Sequence, residues 1–105
     1  MSAEPQIEVT DARERRRFEA TVDGELGGFL FYRDKGDLLA LIHTEVEERF
    51  EGRGLGGRLA RFALDQARER GVSVLPFCPF VNDWIKRHPE YVDLVPADLR
   101  ADFDL

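Results

Sequence analysis

The sequence predicts an α/β fold: a mixed (α+β) sheet in which an antiparallel meander is followed by a helical crossover, a parallel strand and a short final helix. Three observations carry this. Residues 7–42 alternate apolar and polar side chains in runs broken by tight-turn signals. An amphipathic stretch of helical period begins at Leu55. A short apolar run at residues 72–77 is then reached through that helix, so it lies parallel to the strand before it.

Taken in order, residues 1–6 (MSAEPQ) read as a loose tail and residues 7–105 as a single domain. Ile7 to Thr10 suits a short strand, and DARERRR at 11–17 a solvated connection. Phe18, Ala20 and Val22 alternate with Glu19, Thr21 and Asp23, and Asp23-Gly24 is a hairpin signal. Leu26 to Arg33 is the return strand, with Phe29 and Phe31 on one side, Leu30 and Tyr32 on the other, and Gly27-Gly28 permitting a bulge. DKGD at 34–37 turns again. Leu38 to Ile42 is apolar throughout, as in a central strand covered on both faces, and strict alternation puts His43 on the face of Leu39 and Leu41.

Leu55, Leu59, Phe62, Ala63 and Ala67 follow spacings of three and four, and Gly71 supplies a helix stop. Val72 to Phe77 is the parallel strand. Pro79 suits the first position of a helix running to about Arg87, which HPEY at 88–91 ends.

The chain has 105 residues and a net charge of −6, from 21 acidic against 15 basic side chains. That field repels nucleic acid and favours cationic partners, so an amine fits better than DNA. No apolar run is long enough to span a bilayer, and the N-terminus lacks a secretory pattern. The single Cys78 excludes an internal disulfide and a multi-cysteine zinc site, and two distant histidines add no ligand spacing, so no metal is expected. A cytoplasmic monomer or weak dimer without membrane contact is the expectation.

EGRGLGG at 51–57 carries the chemistry. Gly52, Gly54 and Gly57 satisfy G-x-G-x-x-G, but the strand after the helix ends VLPFC without the acidic residue a dinucleotide ribose needs. A P-loop needs Gly-Lys-Ser/Thr, which is absent. A tight strand-to-helix turn explains one or two of the glycines. No Ser, Thr, Asp or Asn lies between Val46 and Arg58 to cap the helix, while Arg49, Arg53, Arg58 and Arg61 cluster around it. Uncapped N–H groups, the helix dipole and the arginines suit an anion, most naturally a pyrophosphate.

The stretch V-x-x-x-F-E-G-R-G-L-G-G-x-L resembles the acyl-coenzyme A loop of the GNAT N-acetyltransferases, Gln/Arg-x-x-Gly-x-Gly/Ala. Together HTEV (43–46), EGRGLG (51–56), CPFV (78–81) and HPEY (88–91) resemble a minimal, single-domain GNAT subfamily over roughly residues 7–95. The resemblance implies a minimal GNAT-like fold and an acetyl-coenzyme A dependent N-acetyltransferase. It places the cofactor on Thr44, Val46, Glu51, Gly52, Arg53, Gly54, Leu55, Gly56 and Gly57. Glu51 stands where most of the family has Gln or Arg; a carboxylate beside a pyrophosphate is repelled, so its side chain should point away and its backbone alone serve the ligand.

The resemblance also sets His43, Thr44 and Cys78 around the reactive carbon. Transfer to an amine needs the neutral amine, and a lysine amine titrates at about 10.4. Where larger members use a tyrosine on the last helix, this chain has Trp84 and Ile85, with Tyr91 beyond the helix. Cys78, at a strand end and before Pro79, is the candidate replacement, as nucleophile or proton donor; its plain alternative is a small buried hydrophobe. His43 is the candidate base, or else a core histidine. Phe80, Trp84 and Tyr91 pack the last helix or line an acceptor pocket. The acceptor can be a small molecule, a polyamine or a protein lysine; a non-catalytic acyl-coenzyme A binding or sensing module is the alternative to an enzyme.

Overall fold

A computed structural model describes residues 4–105. Five strands form one sheet in chain order: β1 (Ile7–Ala12), β2 (Arg17–Val22), β3 (Glu25–Asp34), β4 (Leu38–Val46) and β5 (Ser73–Pro76). The first four pair antiparallel, and β4 pairs parallel with β5 across helix α1 (Leu55–Arg70). Helix α2 (Pro79–Arg87) follows β5. The meander, crossover, parallel strand and closing helix are those the sequence predicts, in a mixed α+β sheet.

Local chemistry explains the element ends. Gly71 takes φ 68, and the next N–H, of Val72, reaches the Ala67 carbonyl at 3.0 Å, closing the last turn of α1. Pro79 occupies the first turn of α2, where its missing N–H costs nothing. Both helices cover one face of the sheet. Phe18, Leu30, Leu39, Leu41 and Val74 from the strands meet Leu59, Leu64, Val81 and Ile85 from the helices in one buried cluster. Each fully buried aliphatic side chain contributes about 1.5–3 kcal/mol of transfer free energy.

Several expectations change. β1 runs on to Ala12 and β2 starts at Arg17, so only residues 13–16 of the charged run make the connection, as a 3₁₀ turn at Arg13–Arg15 and left-handed Arg16. Of the tail, residues 1–3 lie outside the described residues, while Gln6 exchanges hydrogen bonds with Asp23 at the β2–β3 turn. A register shift opposite Ala20 and Thr21 leaves Gly27 as the extra residue of β3, a bulge. A Cβ on Gly27 would come within 2.9 Å of Leu55 Cδ1, so the bulge makes room for the first residue of α1. The central strand is covered on both faces only over Leu39, Ala40 and Leu41, which are buried; Ile42, expected to share that cover, is 37% exposed. β5 stops at Pro76 and leaves Phe77 at 56% exposure. Two 3₁₀ segments unmarked by any periodicity, Pro89–Leu94 and Ala97–Phe103, bring Tyr91, Leu94 and Val95 into the core.

Candidate functional site

β4 changes character at Ile42. Phe31 pairs with His43 and Tyr32 with Leu41, so Ile42 is an extra residue and the strand bulges there. Side chains alternate along a strand, and one extra residue reverses their phase. Leu39 and Leu41 face the helices before the bulge; after it, Thr44, opposite buried Leu30, takes that face and His43 turns to the open one. The expectation that His43 shares a face with Leu39 and Leu41 is therefore corrected. Its side chain is 55% exposed, with Nε2 3.6 Å from Glu45 Oε1.

The bulge also marks where β4 and β5 part. Their pairing ends at Leu41 and Pro76, and the Cys78 N–H then donates to the Leu41 carbonyl at 2.8 Å. That bond fixes Cys78 as the N-cap residue of α2, yet its side chain caps nothing. Instead Cys78 Sγ lies 3.2 Å from Thr44 Oγ1, with the cysteine only 2% exposed. Thr44 and Cys78 thus meet at the apex of the splay, while His43 stands on the other side of the sheet.

The glycine stretch lies farther along the free end of β4. Glu48–Phe50 forms a 3₁₀ turn, and Gly54 becomes the N-cap of α1 at φ 76, ψ 19, a conformation that disfavours any residue with a Cβ. Its carbonyl takes the first helical bond, from the Arg58 N–H at 3.0 Å, and no side chain caps the helix. The N–H groups of the first turn therefore point outward with the positive end of the helix dipole. A cleft of about 220 Å³ opens there, lined by Val46, Phe50, Glu51, Gly52, Gly54, Leu55, Gly56, Gly57 and Phe80.

Seven of the nine residues expected to hold a cofactor line this one cleft: Val46, Glu51, Gly52, Gly54, Leu55, Gly56 and Gly57. Thr44 sits two residues back along β4, at Cys78, and Arg53 lies beside Phe50, its guanidinium 5.7 Å from the ring centre. The Glu51 N–H already donates to the Glu48 carbonyl at 3.2 Å, which removes the backbone donor expected to serve a ligand. Gly56 and Gly57 also answer to packing. A Cβ on Gly56 would stand 2.7 Å from Phe80 Cζ, and one on Gly57 3.3 Å from Trp84 Nε1. Arg49 is engaged by Glu25 at 2.6 Å and Glu47 at 3.0 Å, which leaves Arg53, Arg58 and Arg61 without carboxylate partners among the described residues.

Phe80, which the sequence places either in packing or in an acceptor pocket, lines the glycine cleft instead. It packs on Gly56 while remaining 39% exposed, and its only sequence signal is its place two residues after Cys78. Tyr91 is excluded from proton donation by geometry. Its hydroxyl donates to Asp65 Oδ1 at 2.7 Å, and that bond, with burial, raises its pKa. Trp84 is enclosed between His88, stacked at 3.7 Å, and Tyr91.

The chain is 32% identical over 85 residues to Protein NATD1 of Gallus gallus, covering 79% of this chain and 77% of that protein. The Homo sapiens NATD1 is equally similar, with 75% of its length covered. Among solved structures, that of Nourseothricin acetyltransferase aligns with a TM-score of 0.48 and 24% identity, over 67% of this chain and 56% of the other, so the chain spans little more than half of that structure. The model of the GCN5-related N-acetyl-transferase family matches residues 17–94, a span that includes the bulged strand, the glycine stretch and the Thr44–Cys78 pair, and the chain belongs to that family.

Proposed function

We propose that the protein transfers an acetyl group from acetyl-coenzyme A to an amine, with Cys78 as the proton donor to the departing thiol. The observation that carries this reading is the meeting of Thr44 Oγ1 and Cys78 Sγ at 3.2 Å where β4 and β5 part. Val46 is two residues beyond Thr44 and Phe80 two beyond Cys78, and both line the glycine cleft. One track therefore runs from an uncapped helix start, suited to a pyrophosphate, to a buried thiol.

The residues present fit coenzyme A. The outward N–H groups of Leu55, Gly56 and Gly57 would hold the pyrophosphate, with Arg53 and Arg58 adding positive charge. The edge of β4 beyond Leu41, paired to β3 but no longer to β5, would hold the pantetheine amides. When bound, acetyl-coenzyme A supplies an acetyl group activated as a thioester. Cys78 would donate the proton of its Sγ to the departing thiolate, one thiol protonating another. Thr44 orients that Sγ through its hydroxyl. The proton lost by the attacking amine restores the Cys78 thiol, so one amide and one free thiol form with no net change in the enzyme. His43, on the open face, lies on the side from which an amine would approach, and its imidazole would take up that proton and relay it through solvent toward Cys78.

The test is transfer of labelled acetyl from acetyl-coenzyme A across a panel of amines by the natural chain and by Cys78→Ala. The expected result is an acetylated amine, with kcat lowered about 100-fold or more in Cys78→Ala and coenzyme A affinity retained. Tight coenzyme A binding without transfer to any amine would contradict the enzyme reading and favour a non-catalytic acyl-coenzyme A binding or sensing module.

A further inference from the structure

The charged run DARERRR takes no part in the transfer proposed above, yet it supplies two of the six residues that line a pocket. Arg16 takes φ 55, ψ 44 between the 3₁₀ turn and β2. Its N–H donates to the Arg13 carbonyl at 3.1 Å and its carbonyl accepts the Tyr32 N–H at 3.0 Å, so the left-handed turn is fixed against β3 with the arginine exposed. A pocket of about 290 Å³ results, lined by Arg15, Arg16, Phe31, Tyr32, Arg33 and Ile42.

Its chemistry is basic and apolar at once. Arg15 is paired with Glu19 at 3.1 Å, whereas Arg16 and Arg33 have no carboxylate partner among the described residues. Phe31 and Ile42 supply an apolar wall, and the Tyr32 hydroxyl is already committed to Asp11 at 2.6 Å. On a chain of net charge −6, two unpaired guanidiniums beside exposed apolar surface are a local reversal of sign. A polyamine or a lysine-rich segment would be repelled here, and an acidic one attracted.

Position ties the pocket to the site. Ile42 is the bulged residue, flanked by Leu41, whose carbonyl holds the Cys78 N–H, and by His43 on the open face. We infer that this pocket anchors an acidic segment of a protein acceptor, carrying at least one apolar side chain, so that an amine of the same protein reaches the parting of β4 and β5. The inference rests on the transfer reading and narrows its acceptor to an acidic polypeptide.

Two fluorescein-labelled lysine peptides test it, identical except that one carries an Asp-Glu-Phe-Asp flank and the other Ser-Gly-Phe-Ser. Both are followed by acetylation kinetics with acetyl-coenzyme A and by fluorescence anisotropy, with the natural chain and with Arg16→Gly/Arg33→Gln. Glycine accepts the left-handed turn at position 16, so the substitution spares the backbone. The acidic flank should lower KM about tenfold with little change in kcat, an advantage that shrinks with salt and falls to about one in the double variant. Equal KM for the two flanks, an advantage that survives in the double variant, or displacement of the acidic peptide only by single-stranded RNA would overturn it. If neither peptide is acetylated while coenzyme A binds, the transfer reading fails instead, and anisotropy decides the pocket: acidic-peptide binding that is absent, or unchanged in the double variant, overturns the inference.

Discussion

The two halves of β4 obey different rules. Leu39 to Leu41 is paired on both edges, to β3 and to β5, and all three residues are buried. His43 to Val46 keeps its β3 partner but has lost β5, and none of its side chains is fully buried. The first half holds the sheet to the helices; the second presents a free backbone edge, with Thr44 at Cys78, Val46 on the cleft and His43 on the opposite face. A single extra residue, Ile42, separates the two. The proposed site is made by ending a strand pairing early, and the core beside it makes the early ending tolerable.

Substitutions should separate the halves, and the largest stability loss belongs to the first. Leu41→Ala removes a side chain with no exposure from the centre of the core and should cost about 2–5 kcal/mol in denaturant unfolding. A loss below about 1 kcal/mol would show that the first half is not the anchor. Deleting Ile42 should have an intermediate effect. It restores regular alternation with Thr44 still facing the helices, so the chain should fold with a stability loss of about 1–2 kcal/mol. It also removes the bend that parts β4 from β5. Coenzyme A affinity, read by calorimetry, should fall about tenfold or more; unchanged affinity would detach the bulge from the site.

Thr44→Val should move stability least, by about 1 kcal/mol or less, because it deletes one partly buried hydroxyl while keeping the shape. Its effect should appear in the chemistry, as a changed pH dependence of Cys78 alkylation that Thr44→Ser restores. An alkylation profile identical to that of the natural chain would remove Thr44 from its positioning role.

Much of this was legible in the sequence, for reasons that differ by element. α1 announces itself through Leu55, Leu59 and Ala63, with Gly71 as its stop, and α2 through Pro79, because helical period and terminal residues are local signals. The missing side-chain cap of α1 was readable because the absence of Ser, Thr, Asp and Asn is visible in a string of letters. The bulge at Ile42 was not. LLALIHTEV contains neither glycine nor proline, and the extra residue is fixed by pairing with β3, a long-range fact. Misreading that one residue put His43 on the wrong face, while the nearness of Thr44 and Cys78 was legible only through the family resemblance. The double duty of Gly56 was equally hidden, since only the approach of Phe80 from α2 shows that a Cβ there has no room. The final 3₁₀ segments escaped notice because turns of i→i+3 bonding leave no sustained period.

The most direct test of the account is a crystal structure with coenzyme A bound. The account predicts the pyrophosphate on the N–H groups of residues 54–57, the pantetheine along the free edge of β4, and the sulfur beside Cys78 on the Thr44 face. A nucleotide bound elsewhere, or a thiol emerging on the open face beside His43 and away from Cys78, would contradict it.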